Sequence, residues 1–228
     1  MSDDIRDMLE RGWRDVQRID EALSRGEIDE VAWYEAMQGL IVPKYIAADN
    51  PRAQSGHSGD AEAWERARIL MIEGLNHDGA LLDVGCANGH LMETVQSWAT
   101  QRGLAIEPYG VDISPAMVDL ARRRLPHWHD RFWVANILEW EPPRRFDFVH
   151  IQHLDYVPVT RRRKLVAHLL TRVCEPAGRL IIGPFNEVRT EHVTEGIVAG
   201  WGHRISGQVD RQHRHPDIAY RVFWIDVA

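Results

Sequence analysis

Apolar positions along the chain follow two periods. Leu91, Met92, Val95, Trp98 and Ala99 recur at helical spacing, whereas Leu81-Leu82, Phe132-Trp133-Val134-Ala135 and Leu180-Ile181-Ile182 are short unbroken apolar runs. The first spacing predicts an amphipathic helix and the second predicts buried strands. Near the N-terminus Ile5, Met8, Leu9, Trp13, Val16, Ile19 and Leu23 form one apolar stripe, interrupted at Gly26. A second helix is expected over about 28–40, carrying Val31, Tyr34 and Met37, with Pro43 ending that segment. A polar, glycine-bearing loop over 49–60 follows. Asp60 then offers a cap for a helix through Trp64, Ala67, Ile69, Met71 and Leu75.

Beyond this point strands and helices alternate. A strand ends at Val84, a helix follows Gly89, and a second strand over 107–112 ends at Asp112. Ser114 and Pro115 read as N-cap and first residue of a helix that buries Met117, Val118, Ala121 and Leu125. Strands are expected over 132–136, 146–151 and 179–183, the last preceded by a turn over 175–178. Leu165, Val166, Leu169, Leu170 and Val173 mark a helix, and another through Val193, Ile197 and Val198 stops at Gly200. Two final strands near 203–209 and 219–227 are close enough to form a hairpin. Such alternation predicts an α/β fold with a doubly wound, mainly parallel sheet. The organisation read from it is an N-terminal helical extension with a lid loop over 1–59, then one α/β domain over 60–228.

Composition narrows the function. The 228 residues suffice for one such domain with an appendage. Two cysteines cannot build a disulfide framework, which makes a reducing cytoplasm the default location. The acidic N-terminus does not read as a signal peptide, and no apolar run is long enough to cross a bilayer. A net charge of −7 argues against a nucleic-acid partner held through its phosphates. The basic runs Arg122-Arg123-Arg124 and Arg161-Arg162-Arg163-Lys164 therefore read first as solvated faces. Among the 12 histidines, His127/His129 and His213/His215 form close pairs. Neither pair has a Cys or Glu at zinc-site spacing, so no metal is assigned. An exposed helical N-terminus is compatible with packing, with a lid or with a homodimer.

The chemistry concentrates in Asp83-Val84-Gly85-Cys86-Ala87-Asn88-Gly89. A strand entering a glycine turn that opens a helix makes a cofactor cradle, because glycine lets a ligand approach the backbone and the helix start offers free N–H groups. The dinucleotide fingerprint G-x-G-x-x-G fails at Ala87 and His90, and no Gly-Lys-Ser/Thr phosphate loop exists. Asp83-x-Gly85-x-Ala87-x-Gly89 instead resembles the first motif of class I S-adenosylmethionine-dependent methyltransferases, D/E-x-G-x-G-x-G, with Ala87 in place of the middle glycine. Asp112, at a strand end about twenty residues on, suits an acid that accepts from ribose hydroxyls.

The resemblance implies a seven-stranded sheet with an antiparallel C-terminal hairpin, S-adenosylmethionine as methyl donor and S-adenosylhomocysteine as product. It implies that Asp83, Gly85, Cys86, Ala87, Asn88 and Gly89 take the methionine part. Asp112 would hold the ribose with Ile113 against the adenine, Ile137 or Leu138 would pack on the adenine face, Met117 belongs to the same cofactor-binding set, and Asn136 stands where the family usually has an Asp. Gln152 ends the fourth strand beside the expected sulfonium. Gln54 and Ser55 would touch the methionine end and Arg52 its carboxylate, unless this loop is a solvated linker. Tyr45, Trp64, Tyr156 and Pro184-Phe185-Asn186 are candidate walls of the acceptor pocket. His153 is the best-placed candidate base, since histidine titrates near neutrality; shaping the pocket is the plainer role for it. The function expected is methyl transfer to oxygen or nitrogen of a small molecule. An RNA methyltransferase and a non-catalytic cofactor-binding protein are the alternatives.

Overall fold

Strand β1 (Gly79–Val84) is buried from Ala80 onward and sends alternate side chains into two different cores. Leu82 and Val84 pack with Phe146, Val149, Leu165 and Leu169 on one side. Leu81 packs with Leu70, Met71, Val95 and Trp98 on the other. A strand with both faces covered is the signature of a doubly wound sheet. In the computed structural model, which describes residues 14–228, seven strands form one sheet in the order β3-β2-β1-β4-β5-β7-β6.

The parallel part comprises β1, β2 (Ile106–Asp112), β3 (Phe132–Val134), β4 (Phe146–Ile151) and the first half of β5 (Cys174–Val188). β6 (Gly207–Gln212) and β7 (Ile218–Asp226) complete it as an antiparallel hairpin on β5. Val84 is level with both Val111 and Ile151, so β1, β2 and β4 end together. The chain moves from β1 outward to β3 and then returns to the other side of β1. The cleft at that reversal is where ligands bind in open α/β sheets.

The helices are α1 (Arg14–Ser24), α2 (Glu30–Ile46), α3 (Ala61–Arg68), α4 (His90–Gln101), α5 (Pro115–Arg124), α6 (Arg162–His168) and α7 (Val193–Gly200). Asp60 caps α3 by accepting from the Ala63 N–H at 2.8 Å, and Ser114 caps α5 through the Met117 N–H at 3.4 Å. α4 buries the five residues its periodicity selects. α1 and α2 share a small core of Val16, Trp33 and Met37; the stripe residues Ile5, Met8, Leu9 and Trp13 lie outside the described residues.

Several boundaries differ from the sequence expectation. Pro43 does not stop α2, which runs on to Ile46 with the Ala47 N–H donating to the Pro43 carbonyl. Proline forfeits one hydrogen bond there, yet the helix continues through Lys44, Tyr45 and Ile46. The helix expected through Leu75 is α3 followed by a 3-10 turn, Ile69–Gly74. β3 ends at Val134, so Asn136 belongs to a loop. The turn over 175–178 is an irregularity inside β5, with Ala177 at φ 61° and the pairing to β4 shifting between Phe146 and Phe148. The first hairpin strand begins at Gly207, not near residue 203. The loop over 49–60 contains a short 3-10 turn, Ala53–Ser55. Among the described residues, no helix is long and apolar enough to cross a membrane.

Candidate active site

The glycine turn is fixed by hydrogen bonds to β2. Gly85 and Cys86 both donate to the Val111 carbonyl, at 2.8 and 3.2 Å. Ala87 donates to one Asp112 carboxylate oxygen at 2.9 Å, and Ser114 donates to the other at 2.9 Å. Asp112 thus ties the turn after β1 to the start of α5. Burial pushes its carboxyl above the ordinary range, and the two N–H donors act against that shift. Gly85 has φ 76°, and a Cβ on it would lie 2.5 Å from the Tyr156 ring. Ala87 has φ 46°, a left-handed conformation that glycine would adopt without strain.

A cleft containing about 900 Å³ of space outside protein atoms, part of it open to solvent, borders this turn. Asp112, Ile113, Met117, Asn136 and Ile137 line one side of it, together with Gly85 and Ala87. The facing wall is α2, through Trp33, Tyr34, Met37, Ile41 and Tyr45. A smaller polar cavity adjoins it, lined by Ser55, Trp64, Asp83, Gly85, Cys86, Gln152 and Tyr156. Ser55 and Tyr156 border both. Carboxylate, amide and apolar walls converge here with backbone that tolerates close approach, which fits an adenosine bearing a short polar tail.

Other expected site residues have local structural partners. Asn88 is fully buried; its amide donates to the Pro51 carbonyl at 2.9 Å and to Gln54 at 3.3 Å. Gln54 also donates to the Ala48 carbonyl at 3.0 Å, so Asn88 and Gln54 clip the loop over 49–60 onto the glycine turn and line neither cavity. Gly89 starts α4, and a Cβ there would lie 2.9 Å from Leu125. The Arg52 Nε donates to the Gly59 carbonyl at 3.5 Å, closing its own loop. Asp83 is 4% exposed and accepts from His150 Nδ1 at 2.7 Å, while His150 Nε2 lies 2.6 Å from the Gly183 carbonyl. The imidazole thus bridges the Asp83 carboxylate and the Gly183 carbonyl.

His153 is half-buried and lies beside Gln152, with 3.0 Å between its Nε2 and the amide nitrogen. Burial, together with the Arg68 and His150 charges, pushes it down to about 3. Such a ring stays neutral at working pH but has little drive to accept a proton.

Tyr45, expected as a pocket wall, lines the cavity together with its neighbours on α2. One feature escapes the sequence reading: Arg68, 9% exposed, with its guanidinium 5.3 Å from the centre of the Trp64 ring. Nothing in the sequence separates Arg68 from Arg66, which pairs with Glu62 on the surface of the same helix.

Comparison with known proteins agrees with this geometry. The family model of a methyltransferase domain matches residues 81–178. No curated protein matches the chain in sequence. Among solved structures, the N-methyltransferase NodS of Bradyrhizobium japonicum, in complex with S-adenosylhomocysteine, is 16% identical with a TM-score of 0.61. That match covers 82% of this chain and 96% of NodS. The 1,6-didemethyltoxoflavin-N1-methyltransferase of Burkholderia thailandensis is 14% identical with a TM-score of 0.61, covering 88% of this chain and 91% of its own. Similarity at this identity establishes the shared fold. Residues 81–178, which span the glycine turn, Asp112 and the strands that carry them, match the methyltransferase-domain family, and the chain shares the fold of S-adenosylmethionine-dependent methyltransferases.

Proposed function

We propose that the enzyme methylates oxygen or nitrogen of a small molecule. The observation that carries this reading is the cleft between the Asp112 edge of the sheet and α2. In it Asp112 would accept from the ribose hydroxyls, with Ile113, Met117 and Ile137 around the adenine. Asn136 would present a carbonyl or an amide to the ring, although its Oδ1 already accepts from the Leu138 N–H at 3.1 Å. Gly85, Ala87, Asp83, Cys86, Gln152 and Ser55 would surround the methionine end. Asn88, Gly89 and Gln54 would act through the shape of the turn.

When bound, the cofactor supplies a methyl group already activated by the sulfonium. The chain's own task is then alignment of the acceptor and exclusion of water. Residues 1–59 would serve as the cover and 60–228 as the catalytic domain. His153 would shape the pocket, because its depressed pKa makes it a weak base. The net charge of −7 disfavours a polyanionic acceptor. The two structural neighbours, by their names N-methyltransferases, keep nitrogen among the acceptor atoms. Both cysteines are buried and free, consistent with the reducing cytoplasm as the place of work.

Calorimetric titration of S-adenosylhomocysteine into the wild-type protein and into Asp112→Ala tests the reading. Loss of charge-assisted hydrogen bonds should weaken binding by about 1.5–3 kcal/mol, roughly ten- to a hundredfold. Absence of binding to folded wild-type protein would overturn it.

A further inference from the structure

Charged groups along the cleft are few and already engaged. Among the described residues, no lysine, arginine, histidine or glutamate lines either cavity. The carboxylates are Asp112, with an N–H on each oxygen, and Asp83, which accepts from His150 at 2.7 Å. Tyr34, Tyr45 and Tyr156 add three phenols, and burial pushes each above its ordinary range. Cys86, in the smaller cavity, is raised by burial as well. His153 lines neither cavity. The walls thus offer no ready base for a proton and no cation for an anion.

The facing wall adds a second constraint. Trp33, Met37, Ile41 and Tyr45 line the larger cavity and stand four residues apart on α2. That spacing puts them in one apolar and aromatic stripe, about 18 Å long at the helical rise. The polar side chains that α2 adds to the wall, Tyr34 and Gln38, are neutral. Tyr156 supplies a further ring where the two cavities meet.

These walls sort acceptors by their chemistry. A hydroxyl or an ammonium must shed a proton before it attacks, and here no group stands ready to take it. A carboxylate or phosphate would leave water without meeting a positive side chain. A neutral nitrogen with a free lone pair meets neither obstacle. Methylation leaves that nitrogen positive, and tyrosine and tryptophan faces attract such a charge.

We propose that the methyl acceptor is an uncharged aromatic nitrogen base, an aza-heterocycle or an arylamine, held against the α2 stripe. This rests on the methyltransferase reading above and narrows it from oxygen or nitrogen to nitrogen. The acceptor's lone pair forms the new N–C bond as the C–S bond to the methyl group breaks, with the electron pair of that bond kept by sulfur. The positive charge passes to nitrogen. A ring nitrogen keeps it, and an arylamine then releases its N–H proton to water.

The test uses the full chain saturated with S-adenosylhomocysteine and three probes of one shape: quinoline, 1-naphthol and 1-naphthoate. Quinoline should raise the melting temperature of the complex, and 1-naphthoate should not. In Ile41→Lys, which places a cation in the stripe, quinoline should bind at least tenfold more weakly and 1-naphthoate should gain a response. With S-adenosylmethionine in place of the product, mass spectrometry should find N-methylquinolinium and no 1-methoxynaphthalene. A response to 1-naphthoate without one to quinoline, formation of the methyl ether, or no response to quinoline would each overturn the proposal. Failure of wild type to bind S-adenosylhomocysteine would instead defeat the methyltransferase reading. In that case a quinoline response present in ligand-free wild type and lost in Ile41→Lys would still support a site for neutral aromatic bases.

Discussion

The two ends of the cleft are built on different principles. At the Asp112 end, one carboxylate receives the N–H groups of Ala87 and Ser114, so backbone and acid fix each other before any ligand arrives. Behind the smaller cavity, which Trp64 lines, polar atoms of Trp64, Arg68 and His57 lie buried without hydrogen-bond partners. The first end is closed on itself and rigid by construction. The second holds unspent hydrogen-bonding capacity. Stability and recognition thus draw on different residues a few side chains apart.

That division can be broken by mutation, beginning where the expected effect is largest. Asp83→Ala strips the buried partner of His150, and loss of one member of a buried pair costs about 3–5 kcal/mol. Urea melts should register this as a lower midpoint at unchanged slope. A small stability loss accompanied by a large loss of S-adenosylhomocysteine affinity would move Asp83 to the recognition side of the division.

Acid should act mainly on the Arg68 end. His57 and His153 titrate near 4 and 3 when folded, against about 6.5 for an unfolded histidine. Between those values the unfolded chain binds protons that the folded chain refuses. Stability present above pH about 6.5 is therefore lost as pH falls toward 3. Buried Asp112 and Asp155, both raised, contribute in the opposite sense in the carboxylate range. Melting temperatures measured from pH 7 to 4 should fall for wild type and fall less for His57→Gln/His153→Gln. Equal slopes would remove histidine protonation from the account.

The smallest effect belongs to the turn itself. Ala87→Gly relieves a left-handed alanine worth about 1–2 kcal/mol, partly offset by the backbone freedom glycine adds to the unfolded chain, about 0.5–1 kcal/mol. A net gain of about 0.5–1 kcal/mol should appear as a higher melting temperature. A loss would mean that the alanine methyl packs usefully at φ 46°.

Legibility followed the same division. The Asp112 end was readable because it is made of contiguous signals: a glycine turn, an acid at a strand end, a Ser-Pro helix start. Each is local, and backbone geometry links them in one way. The mainly parallel sheet and its antiparallel C-terminal hairpin followed from the alternation and from the resemblance it supported. The other end depends on side chains that meet only in three dimensions. Arg68 reads as an ordinary surface cation on a charged helix, and its burial follows from how α3 and the 3-10 turn after it settle on the sheet. Pro43 reads as a helix stop, whereas α2 runs on to Ile46. The amides of Asn88 and Gln54 join two loops, at 2.9 Å to Pro51 and 3.0 Å to Ala48. Residue type and position alone do not reveal which partner an amide has found.

The wall opposite Asp112 is a single uninterrupted helix, not a set of separate loops. It is fastened to the segment that follows β4 by Glu30 to Arg161, and α1 is fastened there by Asp20 to Arg162, which also holds Asp155. A helix so fastened would open, if it serves as the proposed cover, as one door with few hinges. Release of spent cofactor and amide exchange along α2 should share a common rate, and added salt, by loosening those latches, should quicken both.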